Sequence, residues 1–526
     1  MQRTAIEKTN ADLIKFLADP ASYRGRPSVE QMETHISLVF IAGDDVYKLK
    51  KAVKYDFVDF STVALRKKAC EAEVQLNRRM APSVYLGVES IRRTAGGKLI
   101  WHGSESDEIV DWVVHMRRLD ASRTLANRLQ SSNAKQKVED IRNVSRFLAT
   151  YYSAQAPMTV RTKAFRARLQ EHVADNQAQL LQVSTTRAER DQVGRIHSAQ
   201  LRFLVTHSDL LDARALDGRI VDGHGDLRPD HIYLYQPPVV IDCIEFNSEY
   251  RTNDVIDELS FLAMCCERWQ ESSVGESLFA EYEEASGDLC DPQLIAFYKS
   301  YRACVRAKVA GLRRQQQAGR FAHDSLHMEH DYLDLADRYV ASLDAPFVLI
   351  VGGLMGSGKS TLARELQKLL STELISSDVT RQSVFGFPDA APGKTGSLPF
   401  ARLANYKQMV ACGKRLMRRN TGLIFDATFT MQTGRNLIRE FASRYGYQIL
   451  QVQCECPRDE AVARIMDREQ RGASSSEARP EHYDLQVAQA EPLIEDVPVV
   501  RVDTTAALAE EQDVVLKELI PLLKRQ

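Results

Sequence analysis

The segment GLMGSGKS, Gly353 to Ser360, decides the fold of the C-terminal part of the chain. It fits GxxxxGK[ST], follows the apolar run FVLIVGG that starts at Phe347, and precedes TLARELQKLL, whose leucines recur at helical spacing. The motif requires that order of strand, glycine-rich turn and helix, and in a chain this long a chance match is expected about 0.02 times. Glycines let the backbone amides turn inward around a polyphosphate, and the helix N-terminus adds a positive partial charge. The residues expected around a nucleotide are therefore Gly353, Leu354, Met355, Gly356, Ser357 and Gly358 of the loop, with Lys359, Ser360 and Thr361 of the helix. Lys359 is expected to reach the outer phosphates and Ser360 to hold Mg2+, which makes ATP and Mg2+ the expected cofactors.

Downstream, LISSDVTR reads as a strand ending at Asp378, with Arg381 three residues later, and at a strand's carboxyl end both face the nucleotide cleft. A carboxylate there can take the proton of an acceptor hydroxyl, and Arg381 can bind an anionic group bidentately. GLIFDATF puts Asp426 at the end of another apolar strand, in a position suited to Mg2+, and lacks the Asp-Glu pair of motor ATPases. In VARIMDREQR, Arg464, Arg468 and Arg471 share one helical face. That face is either a solvated basic surface or a lid that brings arginines, Arg468 among them, to the phosphates. The strands FVLIV, LIS, LIFDAT and ILQVQC alternate with helical patterns, which predicts a parallel sheet with crossover helices. Residues 346–526 resemble the small P-loop kinases related to adenylate, gluconate and polynucleotide kinases, with GLMGSGKST, SDVTR, DATF, Arg435 and RIMDR in the family order. The resemblance implies phosphoryl transfer to a small hydroxyl acceptor or a nucleic-acid end, with the acceptor pocket formed by the loop between Asp378 and Asp426, which has GFPDAAPGKTGSLPF near its start.

The N-terminal part has a different rhythm. HISLVFIA, the corner Gly43-Asp44-Asp45 and VYKLKKAV predict a hairpin over His35 to Val53. DFST then supplies an N-cap for a helix bearing Leu65, Ala69, Leu76 and Met80, and IVDWVVHM reads as a strand from Ile109 to Met116. Helices are expected from Ser122 to about Ala215, short strands at His231–Leu234 and Val239–Ile244, and helices again from Asp254 to Ala341.

HGDLRPDH, His224 to His231, is followed sixteen residues after Asp226 by Asp242 in IDCIEFN. In kinase-like transfer one Asp orients and deprotonates the acceptor while another chelates the Mg2+ that bridges the phosphates. Asp226 and Asp242 match those two roles. Upstream, Lys48 and Lys50 share one strand face, and the next helix carries Glu71 and Glu73. A lysine of that strand paired with a glutamate of that helix is a phosphate clamp. Lys50 with Glu73 is favoured, and the register stays open by two residues.

Residues from about 30 to 335 resemble the aminoglycoside phosphotransferase and choline kinase group, which shares the protein-kinase fold, with HMRRLD as the inter-lobe hinge. The order ETHIS, DFST, HGD, DCIEFN and then a P-loop kinase resembles the bacterial family called bifunctional aminoglycoside phosphotransferase/ATP-binding protein, over nearly the whole chain. Two departures stand out: no glycine-rich loop covers the phosphates, and His231 occupies the place of the expected metal-binding Asn. Asp230 or Glu245 could take over as the ligand, or one metal suffices.

The expected fold class is thus an α+β protein-kinase-like domain followed by an α/β P-loop domain, with boundaries at 1–340, a linker at 341–346 and 347–526. With 69 Lys plus Arg against 71 Asp plus Glu, the formal charge of -2 gives no global field toward nucleic acid or anionic lipid, though it leaves room for a local basic cleft. The longest apolar stretch is far shorter than the roughly 20 residues of a membrane span, and MQRTAIEKTN does not open a secretory signal. A cytoplasmic protein without a membrane partner is expected. Nine cysteines without CxxC spacing suggest buried thiols. The expected partner is a small-molecule hydroxyl acceptor. Two other readings remain open: a silent N-terminal regulatory module, and a nucleic-acid end kinase, which the neutral charge disfavours. Oligomeric state is not encoded in any pattern.

Overall fold

The computed structural model describes residues 11–524 apart from 24, 35, 56–57, 132, 317–319, 386–398, 471–479 and 495. The chain forms two compact units, residues 1–160 with 214–291 and residues 161–213 with 292–526.

The first unit is built on a six-stranded sheet in the order Glu30–Glu33, Ser37–Ala42, Asp45–Lys50, Glu108–Arg117, Tyr85–Arg93, Leu99–Trp101. Every neighbouring pair is antiparallel. Period-two alternation sends Phe40, Leu49, Ile91 and Val113 into a core that also takes Leu13 and Leu17. Helix Val63–Asn77 lays Cys70 and Val74 against Val84, Tyr85 and Val114. Its first turn is capped as the sequence predicts, by Thr62 Oγ1 accepting the Leu65 N–H at 3.2 Å. The buried Arg66–Asp111 pair fastens the helix to the sheet with an Nε–Oδ1 distance of 2.9 Å. The rest of the unit is mainly helical, with Ala134–Ser153, Val255–Glu267 and Ser273–Ser286. The strand expected over Val239–Ile244 stops at Val240, because Asp242 turns to φ 66° and leaves the ladder.

The second unit contains a parallel five-stranded sheet in the order Glu373–Ser376, Gly422–Asp426, Phe347–Gly352, Gln448–Glu455, Val499–Asp503. The P-loop strand Phe347–Gly352 is central and wholly buried. Helices Lys359–Leu370 and Leu508–Leu523 cover one face through Leu362, Leu366, Val515 and Leu519. Helices Pro399–Leu416 and Gln432–Arg444 cover the other through Tyr406, Met409, Ile438 and Phe441.

Four long helices, Thr162–Val183, Arg187–Thr206, Pro292–Gln316 and Arg320–Val340, also belong to this unit, a division that differs from a cut at 341–346. One physical tie is Arg202, fully buried, whose guanidinium sits over the Phe347 ring and faces Asp344, Asn420 and Thr421 at the roots of the two central strands. The architecture follows the expected order, an α+β unit on an antiparallel sheet and then an α/β unit on a parallel P-loop sheet.

Candidate active sites

In the P-loop unit, strand Phe347–Gly352 runs straight into the loop, and Gly353, Gly356 and Gly358 all take positive φ, at 150°, 76° and 79°. A side chain at Gly356 would lie 2.4 Å from the Ala461 carbonyl, so only glycine lets helix Arg458–Gln470 approach the loop. Lys359 and Ser360 open the following helix, and Thr361 is exposed in its first turn. Lys359 Nζ touches only the Leu354 carbonyl, at 3.4 Å, among the described residues. Ser360 Oγ donates to Asp426 Oδ1 at 3.2 Å. Asp426 ends its strand nearly fully buried, and burial raises its pKa, with Lys359 opposing and Asp378 adding to the rise. A hydroxyl and a carboxylate oxygen this close form a hard-oxygen donor pair that fits Mg2+.

Asp378 lies two residues beyond the end of its strand, in the first turn of helix Ser377–Phe385, because the chain turns into a helix directly after Ser376. Arg381 Nη2 donates to Asp378 Oδ1 at 3.3 Å, so the two share the cleft end of the sheet. Of the stretch between Asp378 and Asp426 that is expected to form the acceptor pocket, residues 386–398 lie outside the described residues, as does Arg471.

The lid arginines divide. Arg464 is committed to Thr504, with Nη2 2.8 Å from its carbonyl, and to Glu460 at 2.8 Å. Arg468 is half-buried, with Nη2 unpartnered among the described residues. Arg435 is buried and holds the Phe429 and Pro492 carbonyls at 2.6 and 2.7 Å, a structural role. Sequence reasoning missed Gln486, whose Oε1 accepts the Met355 N–H at 2.7 Å, and Thr504, which donates to the Ser357 carbonyl at 2.9 Å. Neither carries a local spacing signal.

In the kinase-like unit, Lys48 Nζ lies 2.9 Å from Glu73 Oε1 and 2.7 Å from Asp242 Oδ1. Lys50 pairs with Glu73 and Glu245 and is buried, so Glu245 serves the lysine and not a metal. Both lysines therefore share Glu73, but only Lys48 reaches Asp242. Glu71 is exposed and faces Lys67 at 3.6 Å, away from this cluster. Burial opposes ionisation of Asp242, yet Lys48 and His231 outweigh it and hold the carboxyl well below the usual range.

The HGD turn is fastened from behind. Glu258, buried on helix Val255–Glu267, accepts the His224 and Gly225 amides at 2.9 Å and the Tyr152 hydroxyl at 3.0 Å. A glutamate inside the apolar run VIDELSFLAM is the sequence signal that could have found it. His224 Nδ1 accepts the Asp226 N–H at 3.2 Å while Nε2 donates to the Ile241 carbonyl at 2.9 Å, and burial keeps the ring neutral. Asp226 Oδ2 accepts from Arg228 Nε at 3.0 Å. His231 Nε2 lies 3.6 Å from Asp242 Oδ2, and burial lowers its pKa to about 4, leaving a neutral imidazole. No cluster of three or more metal-ligating side chains exists among the described residues. Arg228 Nη2 donates to His231 Nε2 at 2.6 Å, which occupies the nitrogen expected to bind metal, and Mg2+ prefers oxygen ligands, so the expected His231 ligand does not fit and Asp242 alone suits an Mg2+ that also takes phosphate oxygens and water.

A glycine-rich loop over a Ser–Asp pair on a parallel sheet defines the class, a P-loop nucleotide-binding domain, and residues 348–493 match the AAA domain family AAA_33. The chain belongs to the same protein family as the uncharacterized protein Rv2004c of Mycobacterium tuberculosis, to which it is 31% identical over 449 residues, 84% of this chain and 86% of that one. The uncharacterized protein Mb2027c of Mycobacterium bovis matches with the same values. Among solved structures, a choline/ethanolamine kinase family protein of Mesorhizobium loti aligns with 63% of this chain and 99% of its own at 14% identity and TM-score 0.38. A gluconokinase of Sinorhizobium meliloti aligns with 34% of this chain and 93% of its own at 21% identity and TM-score 0.24. No described helix is long and apolar enough to cross a membrane.

Proposed function

We propose that the chain moves the γ-phosphate of ATP onto a hydroxyl of a small cytoplasmic molecule, and that it has two nucleotide sites. The observation that carries this reading is the Ser360–Asp426 pair beneath the glycine-rich loop, with Asp378 and Arg381 beside it.

The loop amides and Lys359 bind the phosphates, while Ser360 and Asp426 hold Mg2+, which supplies charge neutralisation at the phosphates. Asp378 takes the acceptor's hydroxyl proton as the acceptor oxygen bonds to the γ-phosphorus and the bond to the β-bridging oxygen breaks, releasing ADP. Arg381 orients an anionic group, and Arg468 adds positive charge from the lid helix. In the other unit, Lys48 takes the phosphate-facing role of the clamp with Glu73, Asp242 would hold the metal together with phosphate oxygens and water, and Asp226 is the base. Lys50 supports the clamp from within the core. The neutral overall charge favours a small acceptor over a nucleic-acid end.

The test is a screen of the full chain with labelled ATP against sugars, amino alcohols, nucleosides and nucleic-acid ends, repeated with Lys359→Ala and with Asp226→Asn. Loss of a product with one variant assigns that product to its unit. No labelled product from any acceptor class would remove the reading.

A further inference from the structure

The P-loop unit has a second concave site that phosphoryl transfer leaves unused. A cavity of about 1160 Å³ is walled by the first turns of helix Arg187–Thr206, by His330 and Asp334 of helix Arg320–Val340, and by the end of helix Pro399–Leu416 with Arg418 just beyond it. Arg418 lies four residues before the start of strand Gly422–Asp426, and Asp426 sits at that strand's other end. Four steps of roughly 3.3 Å put the root of the strand about 13 Å from Asp426, so the cavity opens at the opposite end of the sheet from the P-loop.

Its acidic residues are already engaged. Glu189 accepts the Thr185 and Thr186 amides at 2.7 and 3.0 Å and faces His330 at 3.3 Å. Asp191 pairs with Arg419 at 2.8 Å and lies 3.8 Å from Arg187. Asp334 accepts from Gln192 at 2.9 Å. Arg195 is locked by Asp337, with Nε 3.0 Å from Oδ1, and its Nη1 donates to the Arg418 carbonyl at 2.6 Å, which joins the two walls.

The cations opposite are not engaged in this way. Lys414, Arg415 and Arg418 are exposed and have no ion pair among the described residues; Arg415 touches only the Cys412 sulfur, at 3.2 Å. Lys414 to Arg419 holds four cations in six residues of a chain whose formal charge is -2. The negative end of the helix dipole accounts for Lys414 and Arg415, but Arg418 lies past the helix end and still lines the same cavity.

We propose that this groove binds a small anion bearing two or more phosphate groups, at a site separate from the P-loop. Two guanidinium groups can each take a phosphate bidentately while Lys414 supplies a point charge. The volume lies somewhat above the roughly 300–1,000 Å³ range of small-molecule sites. The three cations fall within about one helical turn, too short a run to track a nucleic-acid backbone. This site does not depend on the transfer reaction being assigned correctly.

The test uses full-length Lys359→Ala carrying Lys48→Met as well, in which both proposed nucleotide sites are disabled, and inorganic tripolyphosphate as the probe. Calorimetry is run on this parent, on the parent with Lys414→Ala, Arg415→Ala and Arg418→Ala, and on the parent with Arg415→Lys and Arg418→Lys. The three-alanine chain should lose at least tenfold in affinity with an unchanged melting temperature, and the lysine chain should keep most of it. Hydrogen exchange should slow over residues 410–420 and 186–195 when tripolyphosphate is added to the parent. No binding to the parent, equal affinity in the alanine chain, or exchange unchanged in those segments overturns the proposal. So does a single-stranded oligonucleotide that binds the parent more tightly than tripolyphosphate and loses that binding in the alanine chain.

Discussion

Ser360 Oγ donates to Asp426 Oδ1 across 3.2 Å, joining the first turn of the P-loop helix to the end of the neighbouring strand. The two residues are 66 positions apart in sequence. Parallel pairing of Phe347–Gly352 with Gly422–Asp426 sets Asp426 opposite Val351, so the carboxylate arrives just where the loop begins. The fold itself thus brings together the two oxygens proposed to hold Mg2+.

Burying the Asp426 carboxylate has a stability cost. Burial raises the Asp426 pKa above its unfolded value, so the unfolded state binds fewer protons and stability falls as pH rises through that interval. Asp426→Asn is expected to raise the melting temperature at neutral pH by a few degrees, at about 2–4 °C per kcal/mol for a unit of this size, while Mg-dependent nucleotide binding is lost. The gain should shrink as pH falls into the carboxylate range. Scanning calorimetry across pH, with nucleotide titration alongside, reads both effects.

Asp378→Asn should lower transfer by roughly 100- to 10,000-fold with ATP affinity kept, the usual worth of a general base. Single-turnover kinetics separate the two quantities. Loss of ATP binding instead would make Asp378 a metal ligand.

Lys48 and Lys50 should part company. Lys50→Met leaves Glu245 buried without its cation and Glu73 with Lys48 alone, and is expected to cost about 3–5 kcal/mol of stability. Lys48→Met should cost less, because its Asp242 partner is half open to solvent, while abolishing nucleotide binding by the N-terminal unit. Melting temperature and calorimetry in a Lys359→Ala parent distinguish them.

In that same parent, Asp242→Ala should lose Mg-ATP binding, whereas Asp226→Asn should retain it and lose turnover. A parent that neither binds Mg-ATP nor is stabilised by it would leave the N-terminal unit as a regulatory module.

Arg202→Met strands Asp344 in the core and should destabilise the P-loop unit by about 3–5 kcal/mol, with much of that recovered in the double variant Arg202→Met, Asp344→Asn. Denaturant unfolding of the four chains measures the coupling. Because Arg202 lies outside residues 342–526, that fragment should melt well below the intact chain.

The phosphate loop was legible in the sequence because its chemistry lies in one contiguous turn, and so was the HGD turn with Asp242, because one short hairpin separates them. The pairing register was not: Lys48 and Lys50 share a face at period two and both meet Glu73, and only Lys48 of the two also reaches Asp242, where the chain turns left-handed. Strands Tyr85–Arg93 and Leu99–Trp101 escaped notice, since YLGVESIRR has charged residues where a clean apolar alternation is sought. The assignment of residues 161–213 to the P-loop unit rests on pairings such as Arg202 with Thr421, which no local pattern announces.

The central claim, that the glycine-rich loop drives phosphoryl transfer, is tested most directly by comparing the full chain with its Lys359→Ala form, each also carrying Asp226→Asn to silence the other unit. Transfer of label from γ-labelled ATP to the best acceptor of the panel is the quantity measured. Among the described residues Lys359 hydrogen-bonds only a loop carbonyl, so the fold should be kept, and the account predicts transfer at least 100-fold lower. Equal transfer by the two chains would contradict it.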